Sequence, residues 1–471
     1  MRGRRLFFSL NLGLAALLAA CGGHNPPPTI PLGTSTVSLT IHDTPPAGVA
    51  VLSFQISVIG VTLNPAVQGI GVPNSGSISL LDAPVNVELA QLVTDRAFLT
   101  SGSVPEGTYG TLTLTFANPR LTIQNTSGSA IGSCANGSTC ELTPTLTIAS
   151  AMYPISQAAS SITLGIAPNT PVGLDIDFDL NQSLQSDLSI NPIVTVTQLP
   201  KTVGPQGQQF FAEVDNLEGA VSDVNYVDRF ALNMNNGQKL TLFLAKDNTV
   251  AYGFPVALDN GQTVRSNARL QLDGTLVATE IYFEQSTDEA KQRAEIVGTV
   301  ASVDSPTQFH MVMNDALAPV SGIKVGNLVA VTIQGPTTFN IASDGLTLPL
   351  GLSFASSLDL MIGQEVQVSI AGSVTPTDVL TDQITLRMSQ VPGMVSQTAN
   401  TTAFTLGNVP ALFTNSGITA MQGAVVSETA FDNLTGITLF QPIAVRGLLF
   451  NTAGTPTLVA GKISLRQVSP M

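Results

Sequence analysis

The chain has 471 residues, enough for several domains, and its formal net charge of −14 excludes the basic surface that nucleic-acid binding requires. Hydrophobic residues make up 44% and charged residues only 11%, a balance that argues against general disorder. The sequence holds 41 glycines and 29 prolines, without a collagen-like period, and no tryptophan. These values favour a protein of the cell envelope, built from many strands whose polar faces carry serine and threonine.

The residues up to Cys21 predict export and lipidation. Three arginines precede an apolar run that ends at Ala20, which is too short for a comfortable membrane span and typical of a signal peptide. The segment Leu18-Ala19-Ala20-Cys21 resembles the lipobox of bacterial lipoproteins. This resemblance implies cleavage before Cys21, acylation of its thiol and, with glycine rather than aspartate next, anchoring in the outer membrane. We expect residues 1–20 to be the signal peptide and 21–34 a lipidated tether; the alternative is a plain signal peptide with an incidental cysteine.

Residues 35–200 predict a β-sandwich. Apolar and polar residues alternate with a period of two in several runs, for example at Leu174, Ile176 and Phe178, which is typical of half-buried strands. Segments rich in proline, glycine and asparagine separate the runs and predict turns. Short strands at this spacing favour a sandwich of the transthyretin or immunoglobulin kind, with at most a short helix in 85–96.

Cys134 and Cys140 are the other cysteines of the sequence. Asn136-Gly137 between them favours a turn, and an exported protein folds in an oxidising compartment. A metal site would need further cysteines or histidines nearby, which the sequence lacks, so we expect a disulfide bond.

Motifs within residues 35–200 are similar to an uncharacterised domain of bacterial lipoproteins. They are Asp43-Thr44-Pro45, Pro105-Glu106-Gly107-Thr108-Tyr109 and Asn191-Pro192-Ile193-Val194. That family carries Asp-Ala-Pro near its start, Pro-Ala-Gly-x-Tyr in its middle and a Pro-Val strand at its end, so Thr44 and Glu106 replace alanines here. The resemblance implies a sandwich architecture and an envelope location, and it implies no chemistry.

A degenerate repeat follows residue 208. Gly219, Gly298 and Gly393 each open a unit, and a phenylalanine stands eleven residues after each glycine. The spacing predicts three small β-barrels over 209–285, 294–390 and 391–468, because closure of a small sheet removes its exposed edges. These units resemble a second uncharacterised family of small β-barrel repeats in bacterial envelope proteins. The polar segment 285–293 is expected to be a linker or short helix.

Asp175, Asp177 and Asp179 form the most suggestive cluster of polar residues. Alternation places them on one face of a strand, about 7 Å between successive members. Facing loops could complete a calcium site made of oxygen ligands. The alternative is the solvent-exposed face of a strand whose Leu174, Ile176 and Phe178 point inward.

The sequence offers few groups for catalysis. Its three histidines are His24, His42 and His310, and it contains no nucleophile elbow, zinc motif or phosphate-binding glycine loop. His42-Asp43 beside many serines is the nearest approach to a catalytic triad.

We therefore expect an all-β, non-enzymatic, lipid-anchored envelope protein without a cofactor and with a structural or adhesive role. Its expected partners are the membrane, through the anchor, and an envelope protein or glycan. Two alternatives stay open: a calcium-stabilised carbohydrate- or protein-binding module, and a hydrolase that uses carboxylates alone. Paired carboxylates in a concave pocket would favour the hydrolase.

Overall fold

The computed structural model describes most of the chain after residue 32. The described residues are 33–44, 50–66, 76–157, 160–204, 207–225, 228–244, 249–252, 258–283, 293–316, 322–398, 400, 402–426, 437–452 and 455–465. They form β-strands joined by turns and very short helices, which confirms the all-β prediction. Among them no helix is long and apolar enough to cross a membrane.

The first domain is a sandwich formed by residues 33–198, here called the sandwich domain. Its strands follow the order β3-β2-β6-β8-β12-β11-β1-β5, and β8 pairs both with β6 and with β12, so one edge of the sandwich is closed. The elements are β1 (Thr34–Thr44), β2 (Ala50–Pro65), β3 (Ile78–Ser79), β4 (Val85–Glu88), β5 (Ala97–Pro105), β6 (Gly107–Gln124), β7 (Thr139–Leu142), β8 (Ser150–Gln157), β9 (Ser160–Ser161), β10 (Leu164–Ile166), β11 (Val172–Asp179), α1 (Leu180–Ser183) and β12 (Val194–Gln198).

Alternating apolar side chains fill the centre of the sandwich domain. The ring of Phe178 lies 5.8 Å from that of Phe54 and 5.5 Å from that of Phe116, measured between centroids. Tyr109 is fully buried, and its hydroxyl donates a hydrogen bond of 3.0 Å to the carbonyl of Pro105. This bond fixes the turn of the Pro-Glu-Gly-Thr-Tyr motif against the core, which gives the motif a structural role.

The described residues after 198 form three closed barrels. The elements are β13 (Thr202–Val203), β14 (Gln209–Asn225), β15 (Arg229–Met234), β16 (Lys239–Leu244), β17 (Val250–Tyr252), β18 (Thr263–Gln271), β19 (Leu276–Phe283), β20 (Glu295–Ser305), β21 (Gln308–Ala316), β22 (Leu328–Ile341), β23 (Glu365–Thr375), β24 (Asp378–Thr398), β25 (Ala403–Gly407), α2 (Ala411–Thr414), β26 (Ala420–Val425), β27 (Pro442–Phe450) and β28 (Thr457–Leu465).

The same strand connectivity closes each barrel. In barrel 1 the pairing runs β14-β15-β16-β19-β18 and back to β14, with β16 and β19 parallel. Barrel 2 closes in the same way through β20-β21-β22-β24-β23, and barrel 3 through β24-β25-β26-β28-β27. A small Greek-key barrel of this kind is the architecture of OB-folds.

The repeated residues have a common structural cause. A Cβ on Gly219 would lie 2.3 Å from the carbonyl oxygen of Asn233, and one on Gly298 would lie 2.2 Å from that of Val312. The neighbouring strand therefore approaches too closely for any side chain at the opening position. The phenylalanines eleven residues later, Phe230, Phe309 and Phe404, are buried in the three barrel cores.

Barrels 2 and 3 share one strand. The first half of β24 pairs with β23 as far as Arg387, and its second half pairs with β27 from Met388 onward. The predicted division between residues 390 and 391 therefore falls inside a continuous strand of 21 residues. We use barrel 2 for residues 293–387 and barrel 3 for residues 388–465.

The sandwich domain contacts all three barrels. Phe98 belongs to the same apolar cluster as Phe211 of barrel 1. Leu52 lies in a cluster with Val312 of barrel 2 and Leu412 of barrel 3. The four modules consequently meet at one junction, and this junction contains most of the buried charge described below.

Candidate functional site

The disulfide prediction is confirmed, and the lipidation prediction lies outside the described residues. Cys134 and Cys140 are bonded, with their Cα atoms 5.8 Å apart. The amide of Asn125 donates hydrogen bonds of 2.8 Å to the carbonyls of Ser129 and Cys134, which closes the same loop. Cys21, the signal peptide and most of the tether precede the described residues, and the expected linker is described only at Arg293.

The three aspartates of β11 lie on one face, but most of that face is not exposed to solvent. Asp175 is 3% exposed and Asp179 9% exposed, whereas Leu174, Ile176 and Phe178 point into the core as predicted. The alternative of a solvent-exposed face is therefore wrong for Asp175 and Asp179. The reason is that β1 runs parallel to β11 and the segment before β5 covers Asp175.

Each of these aspartates already has partners within the protein. Asp175 accepts hydrogen bonds from the Arg96 Nε at 2.9 Å and the Thr40 hydroxyl at 2.7 Å, and its carboxylate lies 3.2 Å from His42 Nδ1. Asp177 accepts a hydrogen bond from Thr44, and Asp179 accepts one from the backbone N–H of Gln182, capping α1. Among the described residues no three histidine, cysteine, aspartate or glutamate side chains come together to hold a metal ion. The geometry therefore gives no support to the calcium site.

The charges of this row compensate one another. Burial alone would raise the pKa of Asp175, but His42 and Arg96 hold that pKa well below its usual range. Burial alone would lower the pKa of His42, and Asp175 and Asp177 raise it above its usual value. His42 therefore acts as a counter-ion for the aspartates, and Asp43 next to it binds the backbone N–H of Leu180. This pairing does not have the geometry of a catalytic triad.

A second set of charged residues lies at the module junction. Asp95 of the sandwich domain is buried, and its carboxylate is 3.4 Å from Arg446 and 3.4 Å from Lys462, both of barrel 3. Lys462 also pairs with Asp215 of barrel 1, and Arg446 donates a hydrogen bond of 2.6 Å to Asn216. One carboxylate network thus joins three modules.

The pKa shifts of Asp95 and Lys462 favour their charged forms, whereas burial raises the pKa of Asp215. Burial would raise the pKa of Asp95, but the adjacent Arg446 and Lys462 lower it below its usual value. Burial would likewise lower the pKa of Lys462, and Asp215 and Asp95 raise it. Asp95 and Lys462 are therefore both ionised at neutral pH.

A second buried ion pair links barrels 1 and 2. The guanidinium of Arg387 lies 3.1 Å from the carboxylate of Glu218, with the side chains 6% and 5% exposed, and it also donates a hydrogen bond to Gln367. Arg265 of barrel 1 pairs with Asp344 at 2.7 Å and lies 4.1 Å over the ring of Tyr282. A hydrogen-bonded buried ion pair is strongly destabilising to break, because the remaining partner is left as an uncompensated charge.

The junction contains two neighbouring, partly open cavities, which we call the large chamber and the small chamber. The large chamber has a volume of about 170 Å³ and lies between the sandwich domain, barrel 1 and barrel 2. The small chamber has a volume of about 90 Å³ and lies between the sandwich domain, barrel 2 and barrel 3. Gln91 and Glu365 line both chambers.

The large chamber is acidic. The carboxylates among its lining residues are Glu88, Asp215, Glu218, Asp315 and Glu365, and Arg387 is the only lysine, arginine or histidine among the described residues that line it. Burial raises the pKa of Glu88 to about 7, against the hydrogen bonds of 2.7 Å that its carboxylate accepts from Ser53 and from the backbone of Phe54.

Glu365 differs from the other buried acids of the junction. The residue is 8% exposed, and its carboxylate accepts no hydrogen bond and forms no ion pair with any described residue. Burial raises the pKa of Glu365, although the positive charges of Arg387 and Arg446 act to lower it. A buried carboxylate without a direct partner is costly in free energy, so its persistence in a cavity wall calls for an explanation.

Sequence reasoning identified none of these junction residues as a site. Their partners come from different modules; for example, Gln390 accepts a hydrogen bond from the backbone N–H of Thr94, 296 positions away in the chain. The available signal was charge inside apolar strands: Glu218, Arg265 and Arg387 each interrupt an alternating strand in a chain that has few charged residues.

Comparison with family models finds a match in the first domain, to a family whose function is unknown. A family model described as a domain of unknown function (DUF4382) matches residues 34–192, so a DUF4382 domain is present there, within the predicted 35–200 apart from its first residue. The match covers the sandwich domain and does not extend to the barrels.

Further comparisons add little. No curated protein matches the chain. One solved structure, drosophila Unr CSD456, is 10% identical, with 54% of this chain and 97% of that chain covered. The TM-score of 0.13 is too low for any inference about fold or function.

Proposed function

We propose that the protein is a lipid-anchored component of the bacterial cell envelope with a non-enzymatic, structural or binding role, in which the four modules act as one body. The observation that carries this proposal is the junction network of Asp95, Arg446, Lys462 and Asp215, which joins three modules through buried charge. The sequence Leu18-Ala19-Ala20-Cys21 supports the anchor.

Buried charge at module boundaries suits a scaffold. Breaking a buried ion pair costs about 3–5 kcal/mol, so domains joined in this way do not swing independently at low cost. A fixed arrangement presents the loops and sheet faces of all four modules in constant positions, which favours the binding of a protein or glycan surface through several modules together.

Cell fractionation tests the anchor. We expect the wild-type protein in the outer-membrane fraction and the Cys21→Ser variant in the soluble periplasmic fraction, since the variant has no thiol to acylate. The matched control is Cys134→Ser/Cys140→Ser, which loses two thiols but keeps the lipobox and should remain with the membrane. A Cys21→Ser variant that still fractionates with membranes contradicts the anchor.

Cross-linking in intact cells tests the binding role. A tagged wild-type protein is expected to enrich the same envelope protein or glycan in repeated experiments, and the soluble Cys21→Ser variant is expected to enrich it less. If the tagged wild type enriches no specific partner, the binding role is wrong.

A hydrolase that uses carboxylates is the second candidate, because Glu88 and Glu365 line one concave chamber. A general acid with a pKa near 7, as at Glu88, suits acid–base chemistry at neutral pH. The test is hydrolysis of chromogenic glycosides and esters by purified protein. Activity that disappears in both Glu88→Gln and Glu365→Gln would support a hydrolase, and activity unchanged in both, or absent from the wild type, would contradict it.

A further inference from the structure

We propose that the junction cavity is a binding site for a small organic cation, with the ammonium group at Glu365 and a short apolar chain in the small chamber. This inference goes beyond the proposed envelope role and does not rest on it. It concerns the purified chain, whether or not Cys21 is acylated.

The first support is the carboxylate of Glu365 itself. Glu365 lines both chambers and is more than nine-tenths buried, and its carboxylate has no hydrogen-bond or ion-pair partner among the described residues. Its own backbone N–H donates a hydrogen bond of 2.8 Å to the Ser389 hydroxyl, which holds the main chain in place beside the small chamber. An ammonium group in the cavity would form a direct hydrogen-bonded ion pair with Glu365, which Arg387 and Arg446 do not, although their charge acts on this carboxylate.

The second support is the charge of the large chamber. Its one described cation, Arg387, pairs with Glu218 and is hydrogen-bonded to Gln367, and Asp215 pairs with Lys462. Among the described residues, Glu88 and Asp315 accept hydrogen bonds only from neutral groups, such as Ser53 and Asn235. Acidic side chains therefore outnumber basic ones among the described residues that line the chamber, and a cationic ligand would be attracted to those that are ionised.

The third support is the wall of the small chamber. Leu52, Leu180, Pro392, Leu412 and Phe413 contribute apolar surface beside Glu365, and none of the described residues that line this chamber is a lysine, arginine or histidine. A pocket with mostly apolar walls and a few polar groups is typical of small-molecule sites. The volume of about 90 Å³ restricts the apolar part of the ligand to a short chain.

The chemistry of the donors favours an organic cation over a metal ion. No three acidic, histidine or cysteine side chains among the described residues come close enough to hold a metal. A single buried carboxylate beside an apolar wall instead matches one ammonium group and its alkyl chain.

Isothermal titration calorimetry with n-butylammonium chloride tests the proposal. We expect saturable binding of n-butylammonium to the wild-type protein at millimolar concentrations and no binding of 1-butanol, which has the same chain without the charge. Glu365→Gln should weaken n-butylammonium binding by about tenfold or more, because a hydrogen-bonded charge pair is lost. The matched control Glu213→Gln changes an exposed glutamate of barrel 1 and should leave binding unchanged.

A second variant keeps the test decisive if Glu365→Gln fails to fold. Leu412→Phe enlarges a side chain in the small chamber and leaves every carboxylate in place, so it should also weaken n-butylammonium binding. The proposal is overturned if the folded wild type shows no saturable binding of n-butylammonium. It is also overturned if 1-butanol binds equally well, or if the folded variants bind as the wild type does.

Discussion

The aspartate row of β11 and the wall around Glu365 are both acidic, buried and lined by strands, yet they differ in how their charge is compensated. Asp175 has Arg96, His42 and Thr40 within hydrogen-bond or ion-pair distance. Glu365 has no such partner among the described residues. The row is thus a structural element whose charges are balanced within the protein, and the junction cavity has room and charge for a ligand. The number of acidic residues is therefore a poor guide to a site, and their partners are a better one.

Removing a cation from the junction should produce the largest effect on stability. Arg387→Met removes the buried ion pair with Glu218 and the positive charge that acts on Glu365. We expect the free energy of unfolding to fall by about 3–5 kcal/mol, measured by urea denaturation. Adding Glu218→Gln to Arg387→Met should recover part of the loss, and a double variant as unstable as the single one contradicts this account.

Removing a compensated charge from the β11 row should cost less. Asp175→Asn weakens the hydrogen bonds from Arg96 and Thr40 inside the fold, and we expect a loss of about 2 kcal/mol in the free energy of unfolding. Asp177→Asn is the matched control, because that side chain is 30% exposed and should change stability by about 0.5 kcal/mol or less. Equal losses in the two variants would show that Asp175 is not the buried anchor of the row.

Glu88 should make stability depend on pH. Its pKa is about 7 in the folded protein and 4.5 ordinarily, so between these values the folded chain holds a proton that the unfolded chain has released. The free energy of unfolding of the wild type should therefore fall as pH rises from 4.5 to 7, relative to that of Glu88→Gln. The relative fall should not exceed about 2 kcal/mol, since Glu88 as a residue is only partly buried and solvent screening reduces the effect.

Urea denaturation at a series of pH values measures this fall. Glu213→Gln, at an exposed position, should follow the wild type throughout. A difference between wild type and Glu88→Gln that stays constant across this range would show that burial does not raise the pKa of Glu88.

Calcium should have the smallest effect. Because Asp175, Asp177 and Asp179 are engaged by side chains and backbone of the protein, we expect the same melting temperature in calcium and in chelator. Calorimetric scans of the wild type and of Asp177→Asn would measure it. A rise in melting temperature with calcium that disappears in Asp177→Asn would restore the calcium site.

Local patterns predicted the architecture because each depends on neighbouring residues. Alternation predicted β11, and the glycine–phenylalanine spacing predicted three barrels, since a glycine is required where strands cross closely and a phenylalanine fills each core. The division after residue 390 does not match the pairing, because nothing in the local pattern marks where β24 exchanges β23 for β27 as its neighbour.

The junction could not be predicted in this way. Asp95 and Lys462 are 367 positions apart and meet only because four modules pack together. The same packing determines that Asp175 finds Arg96 and that Glu365 finds no counterpart, and neither outcome follows from the residues beside them in the chain.

Carboxyl-carbon NMR titration of selectively labelled protein tests the central contrast most directly. It would follow Asp175 and Glu365 with and without n-butylammonium, after assignment by Asp175→Asn and Glu365→Gln. We expect the pKa of Asp175 to lie below its usual value and to be unaffected by the cation. We expect the pKa of Glu365 to lie above its usual value and to fall when n-butylammonium is added. Two carboxyl groups that both titrate at ordinary values, with no response to n-butylammonium, would contradict the account.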